Sequence, residues 1–314
     1  MQIDIETSKV MGFADFVTGM KSPRCQQAYQ NDPILSEKYD MMNEAFETLQ
    51  PLFTKDDKYQ TGERFTSLLL QVAAGELDSN NLFSDLCNKM NEALAPDKMS
   101  KEQLDAMFTL YGAYSDFFDA HINDFGIQLD TDCLNKSKDG IETTLNQAAD
   151  FLGYDIPEDY HTGALIFPMP AGFPPHGRSV ENDQGSRTQF VAIPLDSRNE
   201  PEQTLITIVH EDVHKLFYDS GKSQTVEKEL PSDEFSLLNE GIAVVFQDRF
   251  CDENGIKRRP YGDKTIDAEA NRLEKHVNKG EKLFDENGKL SPNMKSSNQN
   301  INPIFQKALD ERQA

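Results

Sequence analysis

A His-Glu-x-x-His pentapeptide occupies residues 210–214 of the 314-residue chain. Two histidines spaced four positions apart lie on one face of an α-helix, one turn from each other. Both imidazoles can then reach a single tetrahedral Zn²⁺ at about 2.0–2.1 Å. Glu211, next to the first histidine, can contact a metal-bound water without ligating the metal itself. The spacing of His210, Glu211 and His214 therefore predicts one zinc ion per chain, in a site suited to metal-assisted hydrolysis.

A rigid metal site of this kind needs a helix that is packed into a core. Residues 204–217 meet that requirement, because their apolar positions recur with the period of a helix and form a broad apolar face. The residues of this face are Leu205, Ile206, Ile208, Val209, Val213, Leu216 and Phe217. The sequence therefore places the pentapeptide on a buried helix.

A third protein ligand is expected, because catalytic zinc sites commonly combine three protein ligands with a water. Downstream of the pentapeptide, Glu240 interrupts a strongly apolar stretch that predicts a second helix over residues 235–250. A carboxylate in such a setting is costly unless it is paired or bound to a metal. Glu240 is therefore the candidate third ligand.

The pentapeptide and the downstream run Asn239-Glu240-Gly241-Ile242-Ala243 together resemble the active-site motifs of gluzincin zinc metallopeptidases. Thermolysin-like and M1-aminopeptidase-like enzymes carry a similar Asn-Glu pair on the helix that follows the motif helix. The resemblance covers about residues 190–250 and implies a zincin-like catalytic core. It implies that His210, His214 and Glu240 bind zinc and that Glu211 is the general base. The Gly-Ala-Met-Glu-Asn signature of M1 aminopeptidases is absent, so the specific family stays open.

The spacing to the third ligand departs from the gluzincin pattern. Glu240 follows the second histidine by 26 positions, which is longer than usual in these enzymes, so residues 220–233 are expected to form an inserted loop. By spacing alone, Asp233 or Glu234 would compete as the ligand. Both follow a Pro-Ser pair and are typical of the acidic first turn of a helix, which favours Glu240.

The overall charge restricts the classes of partner. The formal net charge of −23 opposes binding to nucleic acids and to anionic membranes. It is compatible with a basic peptide or protein substrate, although solubility alone also accounts for it. No segment approaches the roughly 18 apolar residues of a membrane span.

The N-terminal segment and the cysteines indicate the compartment. Residues 1–6 carry acidic side chains where a signal peptide needs basic ones, and no apolar segment follows. The cysteines are widely spaced, without a Cys-x-x-Cys pair, which disfavours a disulfide scaffold and a thiolate zinc site. They are Cys25, Cys87, Cys133 and Cys251. We expect a cytoplasmic protein, or one exported without a classical signal peptide.

Periodicity predicts a mainly helical α+β protein with two domains. Residues 1–30 show no clean period, whereas apolar spacing predicts a helical bundle between residues 33 and 153. Its helices are expected at 36–49, 62–74, 81–94, 102–118 and 141–152. Residues 1–153 are therefore assigned to a helical N-terminal domain that recognises substrate or shields the cleft.

Residues 154–314 are assigned to the zincin-like metallopeptidase domain, with a small β-sheet and two active-site helices. Strands are expected at 164–169 and 189–195, with a long Pro- and Gly-rich loop or hairpin connection at 170–188. One of these strands would accept an extended peptide, or both form an ordinary structural hairpin. Further on, a helix is expected within 266–284, a loop at 291–302 and a final helix at 303–312.

Several polar residues are candidates for supporting roles. Gluzincins commonly supply a Tyr or His that stabilises the oxyanion, and the resemblance offers Tyr261 and His276 for that role. Asp248 is a candidate partner for a ligand histidine. His161 and His176 either line the cleft or lie at the surface. Arg178 and Arg187 are candidate contacts for a substrate carboxylate.

Three functions remain open from the sequence. The first is a zinc metallopeptidase that cleaves peptide bonds. The second is a non-catalytic binding protein, or pseudoprotease, in which zinc braces the fold. The third is a bacterial effector or toxin protease with one narrow protein target.

Overall fold

A computed structural model describes residues 1–53, 65, 69–73, 83–94, 98–128, 131–173, 176–181, 187–196, 201–258 and 262–295. Within these residues the protein is a mainly helical α+β protein with a four-stranded mixed sheet and helices after it, as predicted. None of the helices in these ranges combines the length and apolar character that crossing a bilayer requires.

The elements follow one another in a simple order. They are β1 (Gln2–Thr7), α1 (Lys9–Gly19), α2 (Pro23–Asn31), α3 (Pro33–Ser36), α4 (Tyr39–Phe53), α5 (Phe83–Ala93), α6 (Lys101–Gln128), α7 (Thr131–Leu152), β2 (His161–Met169), β3 (His176–Glu181), β4 (Arg187–Pro194), α8 (Pro201–Asp219), α9 (Lys222–Glu229), α10 (Ser232–Glu253) and α11 (Lys264–Asn278), with a 3₁₀ turn at Pro292–Met294.

The sheet has the strand order β1-β2-β4-β3. Strand β2 pairs with β4 in parallel, from Leu165 opposite Phe190 to Met169 opposite Pro194. Strand β3 pairs with β4 in antiparallel fashion. Strands β2 and β4 confirm the predictions at 164–169 and 189–195, and β2 is buried on both faces, as its continuous apolar run requires.

Two strands were not predicted. Strand β3 lies inside 170–188, and β2 and β4 pair in parallel, so the prediction of a loop or hairpin connection between them is wrong. The polar residues of β3 form a strand because β4 pairs with them, not because of their own propensity. Strand β1 carries a weak alternation in which only Ile3 is buried, and six residues at a terminus give little periodic signal.

The predicted helices are present where the structure describes them. Helices α4, α5, α6 and α7 confirm the predictions at 36–49, 81–94, 102–118 and 141–152, although α6 and α7 are longer. Most of 62–74 and all of 303–312 lie outside the described residues. Helix α1 was missed because residues 11–17 are all buried, and a helix without a polar face shows no amphipathic period.

The segment 220–233 is not a plain loop, and that prediction is wrong. Helix α9 forms within it, after Gly221 adopts a left-handed φ of 68°. Only Val226 and Ser223 are buried along this helix. Such a short polar helix has one apolar contact point, too few to produce a periodic pattern.

The chain forms two compact units that are both discontinuous in sequence. One comprises Met1–Asp4, Thr131–Gly163 and Glu202–Ala314, and the other comprises Ile5–Asp130 and Ala164–Pro201. Each unit has its own apolar core. In the first unit, α10 packs against both α7 and α11. The prediction of independent domains at 1–153 and 154–314, with their separate roles, stays a prediction.

Candidate metal centre

Helix α8 carries the pentapeptide through the interior of the first unit. Its residues from Ile208 to Phe217 are all buried, including the polar residues His210, Glu211, Asp212, His214 and Lys215. Burying polar and charged side chains is costly unless each finds a partner. Because five such residues lie close together on this helix, we expect polar partners on more than one of its faces.

Three ligand atoms converge where α8 faces α10. The Nε2 atoms of His210 and His214 lie 3.1 Å apart, and Oε2 of Glu240 lies 3.4 Å and 3.9 Å from them, respectively. Two ligands bound at about 2.0–2.1 Å in tetrahedral geometry would lie about 3.3–3.4 Å apart. The structure therefore brings together His210, His214 and Glu240 as a group that could hold a metal ion.

Both imidazoles are oriented by amide oxygens from α10. Nδ1 of His210 lies 3.1 Å from Oε1 of Gln247, and Nδ1 of His214 lies 2.9 Å from Oδ1 of Asn239. An amide oxygen only accepts, so each Nδ1 donates to its partner, and in the neutral imidazole Nε2 then presents a lone pair to the site. Asn239 also donates from Nδ2 to the hydroxyl of Tyr218 at 3.5 Å, which agrees with the orientation of its amide.

The three converging ligand atoms are all acceptors when both histidines are neutral. When the histidines are neutral, two Nε2 lone pairs and a carboxylate oxygen face one another in a buried site. Like partial charges at this separation repel, and a cation at their centre removes the repulsion. Two imidazoles and one carboxylate are a donor set that zinc accepts, as other divalent transition metals do. The residues present therefore fit the ion that the sequence predicts.

The two alternative ligands lie in the first turn of a helix, as the sequence predicts. Asp233 and Glu234 lie in the first turn of α10, before the turn that carries Glu240. Neither belongs to the group of converging ligand atoms found within the described ranges. Glu211 is buried on α8 beside His210, and its role as general base stays a prediction.

The supporting residues differ from those predicted. Asp248 is not a histidine partner: its carboxylate binds Arg258 at 3.2 Å, and its pKa is raised because it is partly buried. Its neighbour Gln247 holds His210 instead. The sequence could have signalled Gln247 and Asn239, because 239, 240 and 247 are spaced so that they approach one side of a helix. Their pairing with particular histidines depends on how α8 and α10 pack.

The other candidates have contacts of their own. Nδ1 of His276 lies 2.7 Å from Glu281, and Tyr261 lies outside the described residues. His161 is exposed near Asp4, and His176 lies 3.1 Å from the buried Asp15. The roles predicted for these residues, and for Arg178 and Arg187 on β3 and β4, stay predictions.

Gly241 allows α11 to pack directly against the turn that carries Glu240. A Cβ at Gly241 would lie 2.8 Å from Cγ of Glu269 and 3.0 Å from Cδ1 of Leu273. Glu269 cannot move aside easily, because Arg272 binds both of its carboxylate oxygens, at 2.6 and 2.9 Å. The glycine of the Asn-Glu-Gly run therefore serves helix packing.

We expect Gly241→Ala to lower the free energy of unfolding by about 1–3 kcal/mol, the usual effect of overpacking. Gly112→Ala is the matched control, because a Cβ at this exposed position in α6 meets nothing within 4 Å. The control should gain up to about 1 kcal/mol from helix propensity. Urea denaturation of both variants checks the prediction, and equal effects would contradict it.

Comparison of the chain with protein-family models, with curated proteins and with solved structures finds no match.

Proposed function

We propose that this protein is a zinc-dependent metallopeptidase in which His210, His214 and Glu240 bind the metal. The observation that carries the proposal is the convergence of three acceptor atoms, with both imidazoles oriented by amide oxygens on their far side. The proposal also rests on Glu211, which the pentapeptide places beside the ligands without making it one. A site that only braced the fold would not need a buried carboxylate at that position.

Zinc bound in this site would act as a Lewis acid and lower the pKa of a water, to about 7 in well-studied cases. Glu211 takes the proton from the attacking water and delivers it to the leaving amine. Gln247 and Asn239 keep each histidine in the tautomer whose Nε2 is free to bind. Burial of the histidines and of Glu211 excludes bulk water and strengthens the electrostatic interactions among them.

Peptide bonds are the proposed substrate class because of the gluzincin-like motif, and the net charge of −23 favours basic peptides or proteins. A zinc-braced binding protein is the alternative. One observation favours it: the ligands come from two long buried helices, α8 and α10, which a metal would crosslink.

Cleavage mapping on a proteome-derived peptide pool tests the proposal. Zinc-loaded wild type is compared with zinc-loaded Glu211→Gln, with cuts identified by mass spectrometry and zinc counted in both proteins. Cuts made only by the wild type support the peptidase, and their positions separate terminal trimming from internal cleavage. If zinc binds but neither protein cuts the pool, the binding protein replaces the peptidase as the better account.

The amide partners give a second prediction. We expect Gln247→Ala and Asn239→Ala each to weaken zinc binding by about 10–100-fold, the usual effect of losing a residue that orients a ligand. Asp248→Asn on the same helix is the control and should leave the affinity unchanged, because Asp248 binds Arg258. Competition with a chromophoric chelator measures the zinc dissociation constants of the three variants. Equal losses in all three variants would show a general effect of damage to α10.

A further inference from the structure

The face of α8 opposite the metal centre is held by a second polar group. Asp212 is fully buried, and its Oδ1 accepts hydrogen bonds from Oγ1 of Thr162 at 2.6 Å and from the backbone N–H of Gly163 at 3.2 Å. Gly163 has a φ of 132°, and a Cβ there would lie 1.7 Å from the carbonyl oxygen of Asp4. Only glycine can bring its backbone N–H to Asp212 from this position.

A further contact joins the same segment to the end of α8. The hydroxyl of Tyr160 donates to Oδ2 of Asp219 at 3.3 Å, and Nζ of Lys215 binds the same oxygen at 2.6 Å. The ammonium of Lys215 also lies 5.4 Å from the centre of the Tyr160 ring. Residues 160–163 therefore contact α8 through polar groups at its middle and at its C-terminal turn.

Helix geometry makes this contact relevant to the ligands. Successive residues turn by about 100°, so Asp212 points about 160° away from both His210 and His214. A rotation of α8 by about 15° would move an atom about 6 Å from its axis by about 1.5 Å. Misplacement by about 1 Å can cost a hundredfold in rate. Hydrogen bonds are directional, so the two bonds to Asp212 restrain such a rotation in addition to the apolar packing of the helix.

We propose that Thr162, Asp212 and the Gly163 amide form a positioning group that sets the rotation of α8, and hence the placement of the two histidines. This inference rests on the proposed function for its relevance to zinc. Asp212 is costly to bury, because its carboxyl is fully enclosed and its Oδ2 has no hydrogen-bond partner among the described residues. A leucine in its place would fill the core without that cost.

Thr162→Val tests the proposal, because it removes the hydroxyl and keeps the shape of the side chain. We expect zinc affinity to fall by about tenfold or more, and kcat to fall with little change in KM. Thr162→Ser restores the hydroxyl and should recover most of both losses. A merely structural role would lower the unfolding temperature of Thr162→Val and leave zinc affinity unchanged at temperatures where the protein is folded, and that result overturns the proposal.

A measurement without metal separates this inference from the proposed function. Long-range ¹H–¹⁵N spectra of the metal-free protein report the imidazole nitrogens of His210 and His214, with His276 as the internal reference. We expect Thr162→Val to shift the first two and not the third. If wild type binds no zinc, the proposed function fails, and the imidazole shifts still decide the positioning role. Thr162→Ala serves if the valine variant does not fold, and unchanged imidazole shifts in the folded variant refute the inference.

Discussion

Glu211→Gln is expected to lower kcat for peptide hydrolysis by about 10²–10⁴-fold, the usual contribution of a general base, while the protein still binds one zinc. The glutamine keeps the size of the side chain and loses the ability to take a proton from water. Because Glu211 is not among the converging ligand atoms, the metal should stay bound. Steady-state cleavage assays on a substrate from the peptide pool measure kcat. Elemental analysis of the same protein measures the bound zinc.

The matched control is Glu227→Gln, the same chemical change on the exposed side of α9. It should cleave at the rate of the wild type. A Glu211→Gln variant that keeps full activity with zinc bound would refute the mechanism, since no other residue is proposed to take the proton. If Glu211→Gln loses zinc together with activity, Glu211 is instead a metal ligand.

The local part of the site could be predicted from the sequence. His210 and His214 share a face of α8 because a spacing of four residues is close to the helical period of about 3.6, so the rest of the fold is not needed to predict it. The helix itself could be predicted because its seven apolar residues recur with the period of a helix over residues 204–217. Glu240 could be proposed from its isolation in an apolar helix, and the structure places it within 3.9 Å of both imidazoles.

The parts that depend on tertiary packing could not be predicted. Gln247 shares a side of α10 with Glu240, but its pairing with His210, 37 positions away, depends on how α8 and α10 pack. The partners of Asp212 lie 49 and 50 positions away, and no spacing rule connects them. Strand β3 forms because β4 pairs with it, and α9 forms between two longer helices with a single buried apolar side chain. For Gln247 and Asp212 the deciding contact is remote in sequence, whereas for β3 it is the pairing with the next strand.

Removal of the third ligand should have the second-largest effect. We expect Glu240→Ala to weaken zinc binding by on the order of a hundredfold or more, because a total affinity of about 10–16 kcal/mol shared among four ligands gives about 3 kcal/mol for each. The two histidines alone cannot complete the tetrahedral set. Isothermal titration with zinc, in competition with a chelator, measures the loss directly.

Glu234→Ala is the matched control, because Glu234 is the alternative ligand from spacing and lies in the first turn of the same helix. It should keep the affinity of the wild type. Zinc should also stabilise the wild type and the control against unfolding, by about 4 kcal/mol at a thousandfold excess over Kd, and should stabilise Glu240→Ala far less. If Glu234→Ala loses zinc affinity and Glu240→Ala keeps it, the ligand is Glu234, and α10 must rotate or shift when the metal binds. If neither variant loses affinity, the third ligand is neither Glu240 nor Glu234, and the proposed ligand set is wrong.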